Sequence, residues 1–312
     1  MPIEAPSGIQ KTNIPAPMLK RLLSQLAVTL LWLLHFLPQP LLAAMGSGVG
    51  RLFFLLGAQR RRIAQTNLAL CFPELDDAAR KALVKAHFRV LGQSLFERSL
   101  LWWSRPARLN RLIRVDGEEK IRALLDAGQP VIMLAPHFVG LDAGGVALAM
   151  RFDALSIYSA QKNPVFDALL YRGRKRFRDQ MLLSRQDGAL ATIKAMRAGR
   201  PFYYLPDMDF GRRDSIFVPF FGIQTATITG LSRLARAAKA RVLFTITRRL
   251  PGNQGYVLEI GDPWPDFPSN DVEADTQRMN QMIEAQIRTM PEQYYWVHRR
   301  FKTRPEGEAS LY

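Results

Sequence analysis

Of the four histidines in the chain, His137 has the setting best suited to chemistry. It follows the apolar run Val131-Ile132-Met133-Leu134-Ala135, which reads as a buried strand after Gly128 and Pro130, and precedes Phe138-Val139-Gly140-Leu141-Asp142. Clefts form at the carboxyl ends of strands in open α/β sheets. Within one regular helix a five-residue offset would turn His137 and Asp142 to different faces, because offsets of three and four are the ones that meet. With His137 just ahead of a helix and Asp142 in its first turns, the chain can bring imidazole and carboxylate together. A carboxylate on one ring nitrogen fixes the tautomer and leaves the other nitrogen as a base. Such a base takes the proton of a substrate hydroxyl, which then attacks a thioester or another activated acyl carbon, help typically worth ~10² to 10⁴ in rate. Gly140, Gly144 and Gly145 would allow close approach of substrate, and amides at the helix start could hold an oxyanion. As a pattern, His-x-x-x-x-Asp is weak. A strand-end histidine that merely caps a loop explains these residues equally well.

Three more clusters carry charge. Tyr171-Arg172-Gly173-Arg174-Lys175-Arg176-Phe177-Arg178 places five cations close together on an expected helix, either a solvated basic face or a phosphate site suited to the guanidinium fork. Pro206-Asp207-Met208-Asp209, after an expected strand at Pro201–Leu205, has the Asp-x-Asp form that holds a divalent metal in many glycosyltransferases. It can equally orient nearby arginines or cap a turn. His298-Arg299-Arg300-Phe301-Lys302-Thr303-Arg304 is a dense basic tail that would suit anionic lipid, an acidic carrier protein or nucleic acid. His35 and His87 lie in helical runs and read as packing or interfacial residues. The single cysteine, Cys71, sits in Leu68-Ala69-Leu70-Cys71-Phe72 and reads as core, so no intramolecular disulfide can form. One Cys and four scattered His supply no zinc-ligand spacing, and neither a Gly-x-Ser-x-Gly elbow nor a phosphate-binding Gly-x-x-x-x-Gly-Lys loop is present.

The elements that must position these residues alternate in type. Helices are expected at Asp76–Trp103, Glu118–Leu125, Asp142–Met150, Pro164–Asp179, Ala189–Ala198, Ile228–Lys239 and Asp271–Arg288. Strands are expected at Ile113–Val115, Val131–Ala135, Ala154–Tyr158, Pro201–Leu205, Arg241–Arg248 and Gly255–Ile260, the last two as a hairpin over Pro251-Gly252-Asn253. Pro206 to Gly222 reads as a long loop. Strands separated by helices argue for an α/β sandwich.

The 312 residues carry a net charge of +16, which favours an acidic partner: nucleic acid, an anionic membrane face or an acidic protein. Met1–Pro17 reads as a flexible arm. Apolar runs follow at Leu22–Leu37 and Leu41–Leu56, separated by Pro38-Gln39-Pro40 and flanked by Lys20-Arg21 and Arg60-Arg61-Arg62. A secretory signal, a single spanning anchor, a hairpin dipping into one leaflet and a pair of buried core helices all fit the pattern, and membrane attachment fits the flanking charge best. The resulting organisation is an arm (1–17), a membrane-associated helical segment (18–57) and a catalytic domain (58–312).

Taken together, Ala135-Pro136-His137 through Asp142, Asn163-Pro164 with Gly173-Arg174-Lys175-Arg176, Pro206-Asp207-Met208-Asp209, Ser215-Ile216-Phe217-Val218-Pro219-Phe220-Phe221-Gly222 and the tail Pro291–Pro305 resemble the bacterial lipid A biosynthesis lauroyl/myristoyl acyltransferase family. The resemblance runs from the apolar N-terminus to the end of the chain. It implies an αβα sandwich of glycerol-phosphate-acyltransferase type, on the cytoplasmic face of a bacterial inner membrane. It also implies an acyl-acyl carrier protein donor and, as acceptor, a hydroxyl on an acyl chain of a phosphorylated glucosamine disaccharide. Carried over, His137 is the base and Asp142 its partner, Arg174 and Arg176 contact the acceptor's phosphate or sugar, and Asp207 and Asp209 shape the site. No metal or other cofactor and no nucleic acid enters that scheme, and the positive charge answers an acidic carrier. Against it stand a lysophospholipid acyltransferase, a metal-dependent glycosyltransferase using Asp207 and Asp209, and a non-catalytic binding protein acting through the basic tail.

Overall fold

The computed structural model describes residues 18–312, so the Met1–Pro17 arm lies outside the described residues. Four helices come first: α1 (Met18–Leu34), α2 (Gln39–Leu56), α3 (Ala58–Cys71) and α4 (Asp77–Trp103). Pro38, extended, starts α2, and Asp76 caps α4 by accepting the Ala79 amide at 2.7 Å. The chain then alternates through α5 (Pro106–Leu112), β1 (Ile113–Asp116), α6 (Glu118–Asp126), β2 (Val131–Leu134), α7 (Leu141–Ala149), β3 (Leu155–Ile157), α8 (Pro164–Arg174), β4 (Met181–Leu183), α9 (Gly188–Arg197) and β5 (Phe202–Tyr204). It ends with β6 (Ser215–Phe220), β7 (Ile223–Ile228), α10 (Gly230–Ala238), β8 (Arg241–Arg249), β9 (Tyr256–Pro263) and α11 (Val272–Thr289).

Seven strands form one sheet in the order β1-β9-β8-β2-β5-β3-β4. The block from β8 to β4 is parallel, and β9 turns back antiparallel to β8 as the expected hairpin. β2 is fully buried because it is covered on both faces. Its residues alternate between two cores: Ile132 and Leu134 pack with α9, α10 and α11, whereas Val131 and Met133 pack with α5, α6 and α7. The architecture is therefore the α/β sandwich expected from the alternation, in the αβα form that the resemblance implies.

Two expectations are corrected. The loop expected from Pro206 to Gly222 contains β6, which pairs with β7 across Phe221-Gly222, both at positive φ (51° and 76°), the geometry of a tight hairpin turn. The helix expected to run to Asp179 ends at Arg174. Arg178 adopts φ 49°, and the chain enters the three-residue strand β4, too short to show an alternation.

The N-terminal helices are fixed to the rest by close backbone contact. Gly46 and Gly50 of α2 face Gly92 of α4. A Cβ at Gly92 would strike the Gly46 carbonyl and lie 2.6 Å from the Gly50 nitrogen. α1 is tied to the start of α8, where Asn163 both caps that helix, accepting from the Val165 amide at 3.0 Å, and donates to Ser24 Oγ at 2.8 Å.

Candidate active site

β2 and β5 are parallel neighbours with Leu134 opposite Tyr204, so His137 and Asp207, each three residues further on, leave the sheet side by side. Their side chains meet. His137 Nδ1 lies 2.6 Å from Asp207 Oδ1, and the His137 amide donates to Asp207 Oδ2 at 2.9 Å. Asp207 is 1% exposed and His137 22%. Burial works against the Asp207 charge, but His137 and Arg300 outweigh it and hold the carboxyl below its ordinary pKa. With Asp207 anionic, Nδ1 carries the proton and donates it, which leaves Nε2 as the basic nitrogen. The His137 loop is braced from behind by the tail, since the Val139 amide donates to the Gln293 carbonyl at 2.8 Å and the Tyr295 amide to the His137 carbonyl at 3.0 Å.

The expected contact between His137 and Asp142 is corrected in its detail. Asp142 sits in the first turn of α7 near the imidazole, but its Oδ2 accepts from Arg98 Nε of α4 at 2.6 Å. Burial opposes the Asp142 charge, and Arg98, Arg174 and His137 together still lower its pKa. Asp207 holds both the ring and the backbone of His137, while Arg98 holds Asp142.

Arg174 ends α8, stands over the Tyr158 ring at 5.6 Å and lines the same cleft as His137, Asp142 and Arg98. Arg176 does not reach this cleft. Its guanidinium donates to the Leu101 carbonyl at 3.0 Å and to the Ser104 carbonyl, anchoring the chain to the end of α4. Asp209 is also apart: it accepts from the Thr303 amide at 2.7 Å, the Thr303 hydroxyl at 2.8 Å and the Gly211 amide at 2.9 Å, and its own amide donates to His298 Nε2 at 3.0 Å. Among the described residues no group of three or more His, Cys, Asp or Glu converges as a metal site. The basic tail is largely packed. Arg300 is 3% exposed and donates to the Ala226 carbonyl and Thr227 hydroxyl, and Arg304 donates to the Gln224 carbonyl.

The glycines have different tasks from those expected. Gly140 and Gly144 let α7 lie against Thr247 of β8, where a Cβ on Gly140 would fall 2.8 Å from the Thr247 carbonyl, and only Gly145 faces a cavity. The amides of Phe138, Val139 and Leu141 already donate to protein carbonyls, so they are not a ready oxyanion hole. Reading the sequence missed Arg98 altogether. It stands 44 residues from Asp142 and carries no motif, and only the packing of α4 along α7 places it. The cleft holding His137 has a volume of about 530 Å³ and reaches Leu31 of α1. A second, narrower cavity of about 70 Å³ adjoins it, sharing Trp102, Leu141, Asp142, Leu170, Arg174 and Leu205 as lining.

Residues 10–303 match the family model described as bacterial lipid A biosynthesis acyltransferase. The chain is 37% identical over 291 residues to the lipid A biosynthesis lauroyltransferase of Escherichia coli, covering 93% of this chain and 94% of that one. It is 32% identical to the palmitoleoyltransferase of the same organism, covering 90% of this chain and 92% of that one. To its myristoyltransferase it is 34% identical, over 88% of this chain and 83% of that one. Among solved structures, the 1-acyl-sn-glycerophosphate acyltransferase of Thermotoga maritima aligns at a TM-score of 0.38 and 15% identity, covering 81% of this chain and 97% of that chain.

Proposed function

Because the chain belongs to the bacterial lipid A biosynthesis acyltransferase family, we propose that it moves a fatty acyl group from an acyl-acyl carrier protein to a hydroxyl of a lipid A precursor, with His137 as the general base. The observation that carries this reading is the His137 imidazole held through Nδ1 by the buried carboxylate of Asp207 at the edge of a cleft. Nε2 takes the proton of the acceptor hydroxyl, the oxygen adds to the thioester carbon, and the carbonyl oxygen becomes an oxyanion. Collapse of that intermediate forms the ester and releases the carrier's thiolate, which recovers the proton from the imidazolium. Arg174, and Arg98 where it is not engaged by Asp142, provide positive charge for the phosphate of the acceptor or for the oxyanion. The +16 charge suits an acidic carrier protein. The relatives' names span lauroyl, myristoyl and palmitoleoyl transfer, so family membership supports acyl transfer without choosing a chain length.

The site works at the cytoplasmic face of the inner membrane, with α1 and α2 seated in the leaflet beside it. Fifteen of the seventeen exposed large hydrophobic side chains among the described residues belong to the segment from Met18 to Leu56. A metal-dependent glycosyl transfer is less well supported, because Asp207 and Asp209 point to different partners and do not act as a pair.

The deciding experiment supplies acyl-acyl carrier protein and an under-acylated lipid A precursor, with chelator present, and follows the acceptor mass. Wild type is expected to add one acyl group and His137→Ala none above background. Transfer by the variant at the wild-type rate would remove His137 from the reaction, and no transfer by wild type would remove the acceptor or the activity.

A further inference from the structure

A groove of about 810 Å³ adjoins the catalytic cleft and shares Ile157, Leu205 and Phe210 with its lining. One wall is a face of α9, through Gly188, Ala189, Thr192 and Ile193, and the other a face of α10, through Gly230, Arg233, Leu234 and Ala237. Helical spacing of three and four residues puts each set on one face, and along α10 the groove follows two turns, roughly 10 Å. Phe202 and Tyr204 of β5 form the floor, and Ser184, Thr192 and Thr229 bring hydroxyls to it. Arg197 ties the two helices together by donating to the Ala237 carbonyl at 2.6 Å. Among the described residues, none of α1 to α4 lines this groove.

The rim is cationic. Lys194 on α9, Arg233 on α10 and Arg213 are exposed, and neither helix has an Asp or Glu in its sequence. Two carboxylates border the groove, and both are engaged. Asp187 accepts from the Ser184 amide at 2.6 Å and its hydroxyl at 2.8 Å, and Asp214 stands 3.7 Å from Arg213. Leu190, four residues before Lys194 on α9, is 83% exposed, the most exposed large hydrophobic side chain among the described residues.

We propose that this groove seats the prosthetic arm of the acidic carrier protein, which docks on the α9–α10 face with Arg213 and Arg233 taking the arm's phosphodiester. This rests on the acyl-transfer reading above and adds the route by which the donor arrives. The arm is a flexible chain of amides and methylenes, with the phosphodiester at the carrier and the thioester at the tip. The groove matches that order: guanidinium forks at the rim, apolar walls with hydroxyls along the way, and a junction with the His137 cleft at Ile157, Leu205 and Phe210. Its volume lies within the roughly 300–1,000 Å³ of small-molecule sites. Outside it, the cations meet an acidic carrier surface and Leu190 gives the contact an apolar anchor. An anionic bilayer face fits less well, because a flat surface does not fill a groove and the apolar helices that would enter a bilayer, α1 and α2, do not border it. The two substrates thus reach His137 by separate openings, the acceptor past Leu31 and the donor past Ile157.

The test follows, by fluorescence anisotropy, the binding of labelled acyl carrier protein with its arm (holo) and without it (apo) to the full-length enzyme, no acceptor present. Wild type is expected to bind the holo form more tightly than the apo form. Arg213→Glu combined with Arg233→Glu should weaken both forms at least about tenfold. Ala189→Trp, at an exposed position on the groove wall, should abolish the preference for the holo form and leave the apo form bound as in wild type. In the transfer assay these variants should raise KM for the carrier thioester with little change in kcat. Equal weakening by Lys85→Glu, on the exposed face of α4, would overturn the assignment by showing attraction to net charge alone. Unchanged carrier binding in the double variant, with loss of binding to phosphatidylglycerol vesicles, would give the surface to the membrane instead. If wild type acylates no lipid A precursor yet holo-carrier binding responds as described, the groove stands and the proposed acceptor falls. If transfer proceeds with the same carrier KM in every variant, the reaction stands and the groove falls.

Discussion

At the scale of single residues, the site divides its anions between two tasks. Asp207 orients His137, so Asp207→Asn should reduce kcat by at least about 10²-fold with little change in KM, because an amide no longer enforces the Nδ1–H tautomer. Steady-state kinetics with the two substrates checks this, and a variant within threefold of wild type would mean that Asp207 serves only the backbone. Asp142 acts together with Arg98 across 2.6 Å, so Arg98→Ala and Asp142→Asn should be non-additive, with a coupling of about 0.5–3 kcal/mol in transition-state stabilisation. Fully additive losses would show that the two do not act as a pair. His87 is a structural histidine with a clear pH signature. It is 0% exposed, its Nδ1 donates to the Glu292 carbonyl at 3.0 Å, and burial lowers its pKa to about 4. Between pH 6.5 and 4 the unfolded chain therefore binds a proton at this position that the folded chain refuses, so stability falls as pH falls through that window, by about 3 kcal/mol from this residue. Urea midpoints at pH 7 and pH 4.5 should show a smaller acid loss in His87→Gln than in wild type, and equal losses would contradict it. The sequence flagged His137 and Asp207 by their places after expected strands, Asp142 by its place at the start of the following helix, and Arg174 by its basic cluster and the family resemblance. It could not show that Asp207 was the ring's partner, since that follows from β2 and β5 being neighbours, a fact about strand order that no local spacing encodes.

Among the elements, the closest crossing is α2 against α4. The glycines at 46, 50 and 92 bring two backbones together, so Gly92→Ala must push α2 off its seat. An overpacked site of this kind costs typically 1–3 kcal/mol and occasionally more. Thermal unfolding of Gly92→Ala should show the loss. Gly48→Ala, with nothing within 4 Å of its Cβ, should instead be neutral or stabilising by up to about 1 kcal/mol through helix propensity. If both variants behaved alike, the α2–α4 contact would not be what these glycines provide. This crossing was invisible in the sequence, where Leu41–Leu56 read only as an apolar run. The long periodic elements were legible: α4 begins within one residue of the expected start, and the β8–β9 hairpin forms over Pro251-Gly252-Asn253. The short ones were not. β4 has three residues and β6 carries a proline, so neither shows the alternation by which a strand is recognised.

At the scale of the whole molecule, the N-terminal helices differ from the sandwich in the apolar surface they expose. Exposed apolar side chains are concentrated on α1 and α2, including Leu19, Leu22, Leu26 and Leu30 on the first helix and Leu52, Leu55 and Leu56 on the second. Patches of that extent on an otherwise polar molecule mark membrane or partner contact. α1 has 17 residues, about 26 Å of helix against a hydrocarbon core of roughly 30 Å. α2, at 18 residues and mean hydropathy 1.3, is long and apolar enough to cross a membrane. Its inner face, however, is committed to the domain: Leu42, Ala43, Gly46 and Gly50 are buried, and the glycines among them face α4. Crossing the bilayer would strip that face from α4, whereas lying in the interface keeps it and still buries the outer leucines, each worth about 1.5–3 kcal/mol. The pair is thus expected to lie in one leaflet, which sets the mouth of the cleft, through Leu31, at the depth of a lipid headgroup. Because Cys71 is buried, a cysteine introduced at the α1–α2 turn, Phe36→Cys, would report this position without background. In sealed vesicles a membrane-impermeant maleimide added on the face opposite the catalytic domain should leave it unlabelled, and 1 M salt should fail to release the protein, since apolar burial is not screened. Labelling from the far face would show that the turn crosses the bilayer, and with it that α2 leaves α4 in the membrane.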